Sequence, residues 1–534
     1  MDEIHKKIPS KELESGVTKK SKRASTTFSP ASGIIKEYID TLLERHDHFA
    51  FEAKLDYRLQ PQSKTNSYRV SAFFFVPRAL QVDPQSYSNE QFIADMSTRI
   101  RFKTPAMSLK SLTREDNSAS PLIRIKQLIK QVEGASRTLE NVEKVKYELK
   151  MLACIVKSSL RDQVRFYLNA LSAKQINPDI IDNIRIYAND VDVFVSTFRG
   201  FSQNFLSVQV PEVLREGFRF VDDYISLKIT KSLVNLGLVI QKMPGMEIPF
   251  NTIKTIVEQE MAHRRQHNSL LFIKEGTENE LYSYWEGIFK KYTQTVLYLD
   301  QRKSEDRARV SQILYALSAG IAMFLFIVIF ANLSSQSYQD WYIWLPVIAA
   351  YILKDRIKGV LQNLSDRALN HWFPDREGHI FEHESNVRIG SWKESVNYLP
   401  LEKVPSEILS IRQASNKSPI EQEGKPELVI KYVKKVILNP VLIRSRHERH
   451  TDINDILRFN VQHFLSYADD PYRTRIIWVS ETQEFRKIKY AKVYHVNVVF
   501  KLEYLDDTRQ NRVQYKKIRV VLDQNGIKRV VELL

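Results

Sequence analysis

The residues best suited to metal chemistry are two histidines four positions apart on a predicted helix, His263 and His267. This spacing puts both imidazoles on one helix face, as in zinc-dependent hydrolases. Those enzymes have a general-base glutamate beside the first histidine, whereas this chain has Arg264. A cation there repels a divalent metal and cannot accept a proton from metal-bound water. The pattern therefore favours a solvated basic helix end over a zinc site.

The other histidines and the paired acids give weaker signals. Four metal-capable residues recur every fourth position, but Pro374 and Gly378 interrupt any helix there, which favours incidental histidines in an interfacial loop over a metal or proton-sensing site. These four residues are His371, Asp375, His379 and His383. The segment RSRHERH, with His447 and His450, indicates a basic surface patch. The acid pairs Asp222-Asp223 and Asp469-Asp470 are expected to cap backbone N–H groups.

No motif for a phosphate loop, a dinucleotide-binding turn or a nucleophile elbow occurs in the chain. Cys154 is the only cysteine, which excludes an intrachain disulfide and a multi-cysteine metal site. It lies beside an apolar helical stripe, so we expect a buried thiol. The sequence thus predicts no cofactor and no metal, names no catalytic residue, and leaves enzymatic activity open.

A long apolar segment indicates a membrane anchor. Residues 313–333 lack any charged side chain, and at 1.5 Å per residue these 21 residues give about 31 Å of helix, the thickness of a bilayer's hydrocarbon core. The second apolar segment, 341–353, is shorter. It spans only as part of a helix over 338–357, with Lys354 and Arg356 reaching the headgroups. A shallow or re-entrant second segment is the alternative.

The charges around these segments predict the orientation. The connecting residues SSQSYQD contain no Lys or Arg, whereas both outer flanks are basic. By the positive-inside rule both flanks are cytoplasmic, so we expect a multi-pass protein of the inner cell membrane with both termini in the cytoplasm. The side chains expected to meet anionic lipid at the flanks are Arg302, Lys303, Arg307, Arg309, Lys354, Arg356 and Lys358.

The predicted fold is a multidomain membrane protein: an α+β N-terminal module, a central α-helical bundle, a two-helix transmembrane hairpin and an α+β C-terminal module. The expected boundaries are a disordered basic tail at 1–32, an α+β module at 33–110, a cytoplasmic helical region at 120–309, the hairpin at 311–357, a juxtamembrane linker region at 358–426 and a basic α+β module at 427–534.

Period-two alternation predicts strands at 49–59, 68–76, 494–504, 512–522 and 527–533, the last two joined at Asn525-Gly526. A capping box formed by Ser88 and Gln91 predicts a helix over the following QFIADMSTRIRF. Helical spacing predicts helices from 121 to 173, at 179–198, 212–241 and 250–267, and a last helix at 277–309 that runs into the membrane. A helix is also expected at 452–467.

Charge indicates the kind of partner. The net charge is +16, and the residues from 428 onward carry 21 basic and 12 acidic side chains, a net charge of +9. Such an excess favours a polyanionic neighbour, with the lipid bilayer preferred to nucleic acid because the chain is tethered beside it. We therefore expect a membrane-tethered cytoplasmic scaffold or sensor, with protein partners or self-association possible. The alternatives are a membrane-anchored enzyme without a recognisable motif and a membrane-held nucleic-acid-binding protein.

Overall fold

The computed structural model describes residues 39–533. Gaps in this description are residues 61–62, 134–137, 173–177, 268, 270, 274, 334–343, 384, 415–426, 448, 451 and 506–509. The tail predicted to be disordered lies outside the described residues. Within them the chain is a mixed α+β fold that combines two large sheets, a helical layer and a projecting pair of long helices.

The larger sheet has eight strands, each antiparallel to its neighbours, in the spatial order β14-β13-β12-β3-β8-β7-β6-β5. Long runs of β-branched and aromatic residues form its central strands. The bounds are β3 (Asn66–Pro77), β5 (Leu299–Lys303), β6 (Arg376–Glu382), β7 (Arg388–Leu399), β8 (Glu427–Leu438), β12 (Tyr494–Leu505), β13 (Asn511–Asp523) and β14 (Gly526–Glu532).

The smaller sheet has four antiparallel strands in the order β1-β2-β9-β4. These are β1 (Ile39–Arg45), β2 (Ala50–Arg58), β4 (Met96–Phe102) and β9 (Asp452–Asn460). In each large sheet, strands from segment 33–110 pair with strands from segment 427–534: β2 with β9, and β3 with both β8 and β12. The two segments thus build shared sheets, and their boundaries as separate modules stay a prediction.

The two sheets pack face to face over an aromatic core. Phe74 on β3 has its ring centroid 4.9 Å from that of Phe459 on β9 and 5.3 Å from that of Phe92. A buried ion pair also joins the sheets: Lys434 Nζ on β8 donates to Asp455 Oδ1 on β9 at 2.6 Å, and Tyr68 Oη donates to Asp455 Oδ2 at 2.9 Å. Lys434 and Asp455 are both inaccessible to solvent.

Eleven α-helices of the described region lie outside the pair of long apolar helices. They are α1 (Asn89–Asp95), α2 (Leu109–Thr113), α3 (Pro121–Glu133), α4 (Leu139–Ser172), α5 (Pro178–Arg199), α6 (Ser202–Leu206), α7 (Glu212–Ile240), α8 (Glu247–Gln266), α9 (Glu280–Gln294) and α12 (Ser406–Gln413), with the short α13 (Pro440–Arg446) after β8. The helical stripe predicted from residue 121 is confirmed by α3 and α4. Cys154 on α4 is buried, and its thiol donates to the Thr293 carbonyl at 3.2 Å.

Two further helices, α10 (Asp306–Leu333) and α11 (Trp344–Trp372), are inserted between β5 and β6. β5 and β6 are hydrogen-bonded neighbours, with Lys303 opposite Gly378. The chain therefore leaves the edge of the sheet through α10 and returns through α11 to the adjacent strand. The predicted apolar helix is confirmed as α10, whereas α11 continues beyond residue 357, the end expected for the second helix.

Three sequence predictions were wrong about element type. The capping box at Ser88 is present, but α1 ends at Asp95 and β4 follows. The helix expected over 277–309 stops at Gln294, and β5 separates it from α10. The helix expected at 452–467 is instead β9. In β9 the residues that face the core recur at every second position, as in other strands. One of them is Asp455, and because it is charged, the sequence does not show the alternation of apolar and polar residues that predicts a strand.

Candidate functional site

Most large apolar side chains of α10 face outward and are exposed. The exposed ones are Ile313, Leu317, Ile321, Met323, Phe324, Leu325, Ile327, Val328 and Phe330. On α11 the exposed apolar residues Leu345, Ile348, Tyr351, Ile352 and Leu353 continue this surface. Ala322 of α10 and Ala350 of α11 are buried, as expected where small residues let two helices approach. Within the described residues, one helix, over Ala308–Ala331, is long and apolar enough to cross a membrane.

α11 also contains charged residues, which lie beside this apolar surface. Lys354 Nζ lies 3.8 Å from the centre of the Tyr351 ring, 5.9 Å from that of Phe326 on α10 and 3.6 Å from Asp355 Oδ1. Phe326 precedes the end of α10, Leu333, by seven residues, which corresponds to about 10 Å of helix. Lys354 is therefore level with the apolar part of α10, and not with its charged beginning.

The seven residues expected to meet lipid headgroups fall into two groups. Arg302 and Lys303 lie on β5 and Arg309 in the first turns of α10, whereas Lys354, Arg356 and Lys358 lie well inside α11. The guanidinium of Arg302 stacks over the Phe381 ring at 4.4 Å. The side chain of Arg307 is outside the described part. Lipid contact by these residues stays a prediction.

A second exposed element was missed by the sequence analysis: a β-hairpin of β10 (Tyr472–Val479) and β11 (Glu484–Ala491) that pairs only within itself among the described strands. All but one of its strand residues are exposed. The Trp478 and Phe485 rings are 4.9 Å apart near its turn, and Phe485 is 76% exposed. From 472 to 491 it carries five basic and two acidic side chains, a net charge of +3. Alternating cations and large apolar residues were the available signal.

The helical pair and this hairpin leave the large sheet at the same end. In an antiparallel sheet the end of each strand lies beside the start of the next. The end of β5 is therefore at the same end of the sheet as the starts of β6 and β12. α10 follows β5, α11 precedes β6, and the hairpin precedes β12 by two residues. β6 and β12 are four strand spacings apart, or roughly 19 Å.

The solvated helix end expected at the histidine pair is correct for His267, which is exposed directly after α8, and wrong for His263, which contacts α7. His263 Nε2 lies 2.8 Å from Asp222 Oδ2, and Arg199 bridges Asp222 and Glu260. Arg264 is 4% exposed and donates to the hydroxyls of Ser226 and Thr230. His263 and Arg199 hold the pKa of Asp222 below its ordinary value even though burial by itself raises it. Asp222 and Asp223 lie inside α7 and do not cap it, so this network joins α5, α7 and α8.

His447 and His450 are also interior residues, and the predicted basic surface patch is wrong. The Tyr147 hydroxyl lies 3.1 Å from His447 Nδ1 and 3.2 Å from His450 Nε2, and His447 Nε2 contacts Glu382. The His450 ring stacks on Phe102 at 4.2 Å and is 1% exposed. Burial lowers the pKa of His450 to about 3, so this imidazole is neutral at physiological pH.

The remaining candidates do not converge on one site. His379 lies on β6, His383 Nδ1 is 3.0 Å from Asp300, and Asp375 accepts from the Val396 amide at 2.7 Å. The side chain of His371 is outside the described part. Asp469 contacts Lys492 at the base of the β10–β11 hairpin. The described residues contain no group of three or more His, Cys, Asp or Glu side chains that could hold a metal ion.

Comparison of the chain with protein-family models, with curated proteins and with solved structures finds no match. The features of the chain that bear on its function are the exposed helical pair, the β10–β11 hairpin and the surfaces of the large sheet.

Proposed function

We propose that the protein is a membrane-anchored scaffold or sensor whose folded body stays on the cytoplasmic side of the membrane. The observation that carries the proposal is the apolar exterior of α10. Burying such a surface in lipid is favourable by roughly 25 cal/mol per Å². The basic flanks and the lone cysteine favour the cytoplasmic side.

The pairing of β5 with β6 supports a helical hairpin in preference to a single crossing. β5 directly precedes the two helices and β6 directly follows them, and these two strands are hydrogen-bonded to each other. A single crossing would separate them by the thickness of a bilayer and break the sheet. An even number of crossings, or a re-entrant loop, keeps both strands on one side.

Two features bear on the depth of insertion. The residues SSQSYQD between the helices are polar and include Asp340, and such a segment favours water over hydrocarbon. Against this, a full crossing brings Lys354 near the hydrocarbon region, where a charge costs about 2.5–3.5 kcal/mol at the centre. Lys354 has Asp355 and two aromatic rings nearby and can extend toward the headgroups. We therefore favour two full crossings, with both termini cytoplasmic.

Cysteine accessibility tests this topology. Cys154 is buried, and burial raises the pKa of its thiol to about 12, so it should not react with a membrane-impermeant maleimide. Ser335→Cys should be labelled from outside the cell, whereas Glu305→Cys should be labelled only after the membrane is opened. If both cysteines react only from the inside, the hairpin is re-entrant. A terminus that reports the outside would contradict the hairpin altogether.

The β10–β11 hairpin is proposed as a second membrane contact, selective for anionic lipid. It carries a net charge of +3, exposes aromatic side chains that suit a bilayer interface, and leaves the sheet at the same end as the helical anchor. Each basic residue near an anionic surface contributes about 1 kcal/mol. Single-stranded nucleic acid, which also binds aromatic rings interleaved with cations, is the competing partner.

The lipid contact is tested in the full chain, because segment 427–534 shares its sheets with β2 and β3 and is not expected to fold alone. A polarity-sensitive fluorophore on Ser480→Cys, in the hairpin turn, should shift to the blue in anionic bilayers and not in neutral ones. High salt and the double substitution Arg475→Gln with Lys489→Gln should reverse the shift. The same fluorophore on Glu258→Cys of α8 is the control and should not respond. A response to single-stranded DNA alone would reverse the order of partners.

A further inference from the structure

Three cations stand side by side on the outer face of the large sheet, the face turned away from the small sheet. Arg69 on β3 is directly opposite Lys435 on β8, and Lys435 is directly opposite Lys393 on β7. Carboxylates close the row at each end: Glu503 on β12 is opposite Arg69, and Glu377 on β6 is opposite Lys393. We call these three basic residues the cation row.

The ends of the cation row are neutralised and its centre is not. Lys393 Nζ lies 3.0 Å from Glu377 Oε2, and the Arg69 guanidinium lies 3.7 Å from Glu503. Lys435 is exposed and makes no ion pair with any residue in the described part of the chain. Like charges directly opposite each other on neighbouring strands destabilise a sheet. Two such juxtapositions meet at one lysine, so the row forms a local excess of positive charge that would attract an anion.

The row borders a groove of about 470 Å³, a size suited to a small molecule. On the same face of the sheet, Ser71 follows Arg69 on β3 and Ser395 follows Lys393 on β7. Their small hydroxyl side chains form the floor of the groove beside Val433. Lys431, which lies 5.6 Å from the Phe73 ring, and Lys501 add two more cations to the lining. Lys501 is already paired with Glu407 Oε1 at 2.7 Å.

The walls of the groove come from two elements that the sheet brings together. Pro405 and Glu407, at the start of α12, form one wall, and Phe373 and Pro374, directly after α11, form another. A ligand in the groove would thus touch the segment that returns from the helical pair.

We propose that this groove binds a small phosphorylated ligand, with phosphate oxygens bridging Lys435 to Arg69 and Lys393 and accepting hydrogen bonds from Ser71 and Ser395. Arginine and lysine together suit a phosphate group, the first through its paired N–H donors and the second as a mobile charge. A soluble phosphate ester and the phosphorylated headgroup of a lipid share this chemistry.

Thermal unfolding of the detergent-solubilised full chain tests the site without any bilayer, so its result is independent of the membrane anchor. Sodium pyrophosphate is the probe, and sodium chloride at equal ionic strength is the reference. At a concentration of about 100 times Kd, bound pyrophosphate should raise Tm by about 3 °C. Lys435→Gln should weaken pyrophosphate binding at least tenfold.

The Lys435→Gln variant also tests whether Lys435 binds a ligand or stabilises the fold. Because Lys435→Gln relieves repulsion, its Tm without pyrophosphate should equal or exceed that of the wild type. Lys130→Gln, which removes an exposed lysine from α3, is the matched control and should bind pyrophosphate as the wild type does. Equal weakening in the control would reduce the effect to nonspecific charge and overturn the proposal. So would a Tm increase by pyrophosphate no greater than that by chloride, or unchanged binding to Lys435→Gln.

The source of the phosphate is resolved by competition for bound pyrophosphate. If soluble inositol phosphate displaces it as well as vesicles of phosphatidylcholine with phosphatidylinositol phosphate do, the site takes a soluble ligand. Displacement by the vesicles at much lower concentration assigns it to a lipid headgroup. Failure of both competitors to displace pyrophosphate would contradict a site for phosphate esters.

Discussion

Lys434 and Lys435 are neighbours on β8, yet they lie in opposite electrostatic surroundings. Lys434 points between the sheets, is inaccessible to solvent and donates to Asp455, which also accepts from Tyr68. Lys435 points outward between two other cations. The buried charge is fully partnered, since an unpartnered one would be too costly to bury. The exposed charge lacks a described partner, because water screens it and tolerates the repulsion.

The difference separates a lysine that maintains the fold from one available for binding. A partnered interior charge contributes to the packing of the two sheets, and its loss should lower the free energy of unfolding of the protein. An exposed charge held against like charges contributes nothing to that fit and lowers stability slightly. Its presence is better explained by what it binds.

The largest effect is expected from Asp455→Asn, which removes the carboxylate that pairs with the buried Lys434 ammonium. Removing one partner of a buried pair costs about 3–5 kcal/mol, so the free energy of unfolding measured in urea should fall by that amount. Replacing both residues, as in Lys434→Met with Asp455→Leu, should recover much of the loss. A single variant as stable as the wild type would remove the distinction between the two lysines.

An intermediate effect is expected at His450, a buried side chain that is neutral in the folded protein at physiological pH. Burial lowers its pKa from 6.5 to about 3, so between these values the unfolded chain binds a proton that the folded chain does not. Stability should therefore fall as pH falls below about 6.5, by about 1.4 kcal/mol per pH unit from this group. His450→Gln should lose this part of the slope between pH 6.5 and 5, measured by urea unfolding. A parallel slope in both proteins would show that His450 is protonated in the folded state.

The smallest effect is expected in the cation row. Lys435→Gln should raise the free energy of unfolding by about 0.5 kcal/mol, because it removes two like-charge neighbours. Lys393→Gln should change it by less, since the lost ion pair with Glu377 offsets the relieved repulsion. Urea unfolding of the three proteins at low and high salt measures both effects, and salt should shrink the difference. A destabilised Lys435→Gln would mean that Lys435 has a structural partner.

Elements with an uninterrupted pattern could be predicted from the sequence. β2 and β3 follow predicted strands, the turn between β13 and β14 follows Asn525-Gly526, and the cap at Ser88 forms as expected. The helix predicted from the long apolar segment is confirmed as α10. In each case the signal lies in residues close together in the chain.

The tertiary structure decided what depends on residues far apart. Asp455 disguised β9 because its partner, Lys434, lies on another sheet, and the buried His450 resembled a surface residue because its neighbours Tyr147 and Phe102 are distant in sequence. The cation row exists only in the register that sets β3 beside β8 and β8 beside β7. Local periodicity determined where strands and helices form, whereas strand pairing decided which charges meet, because Coulomb interaction depends on distance in space and not along the chain.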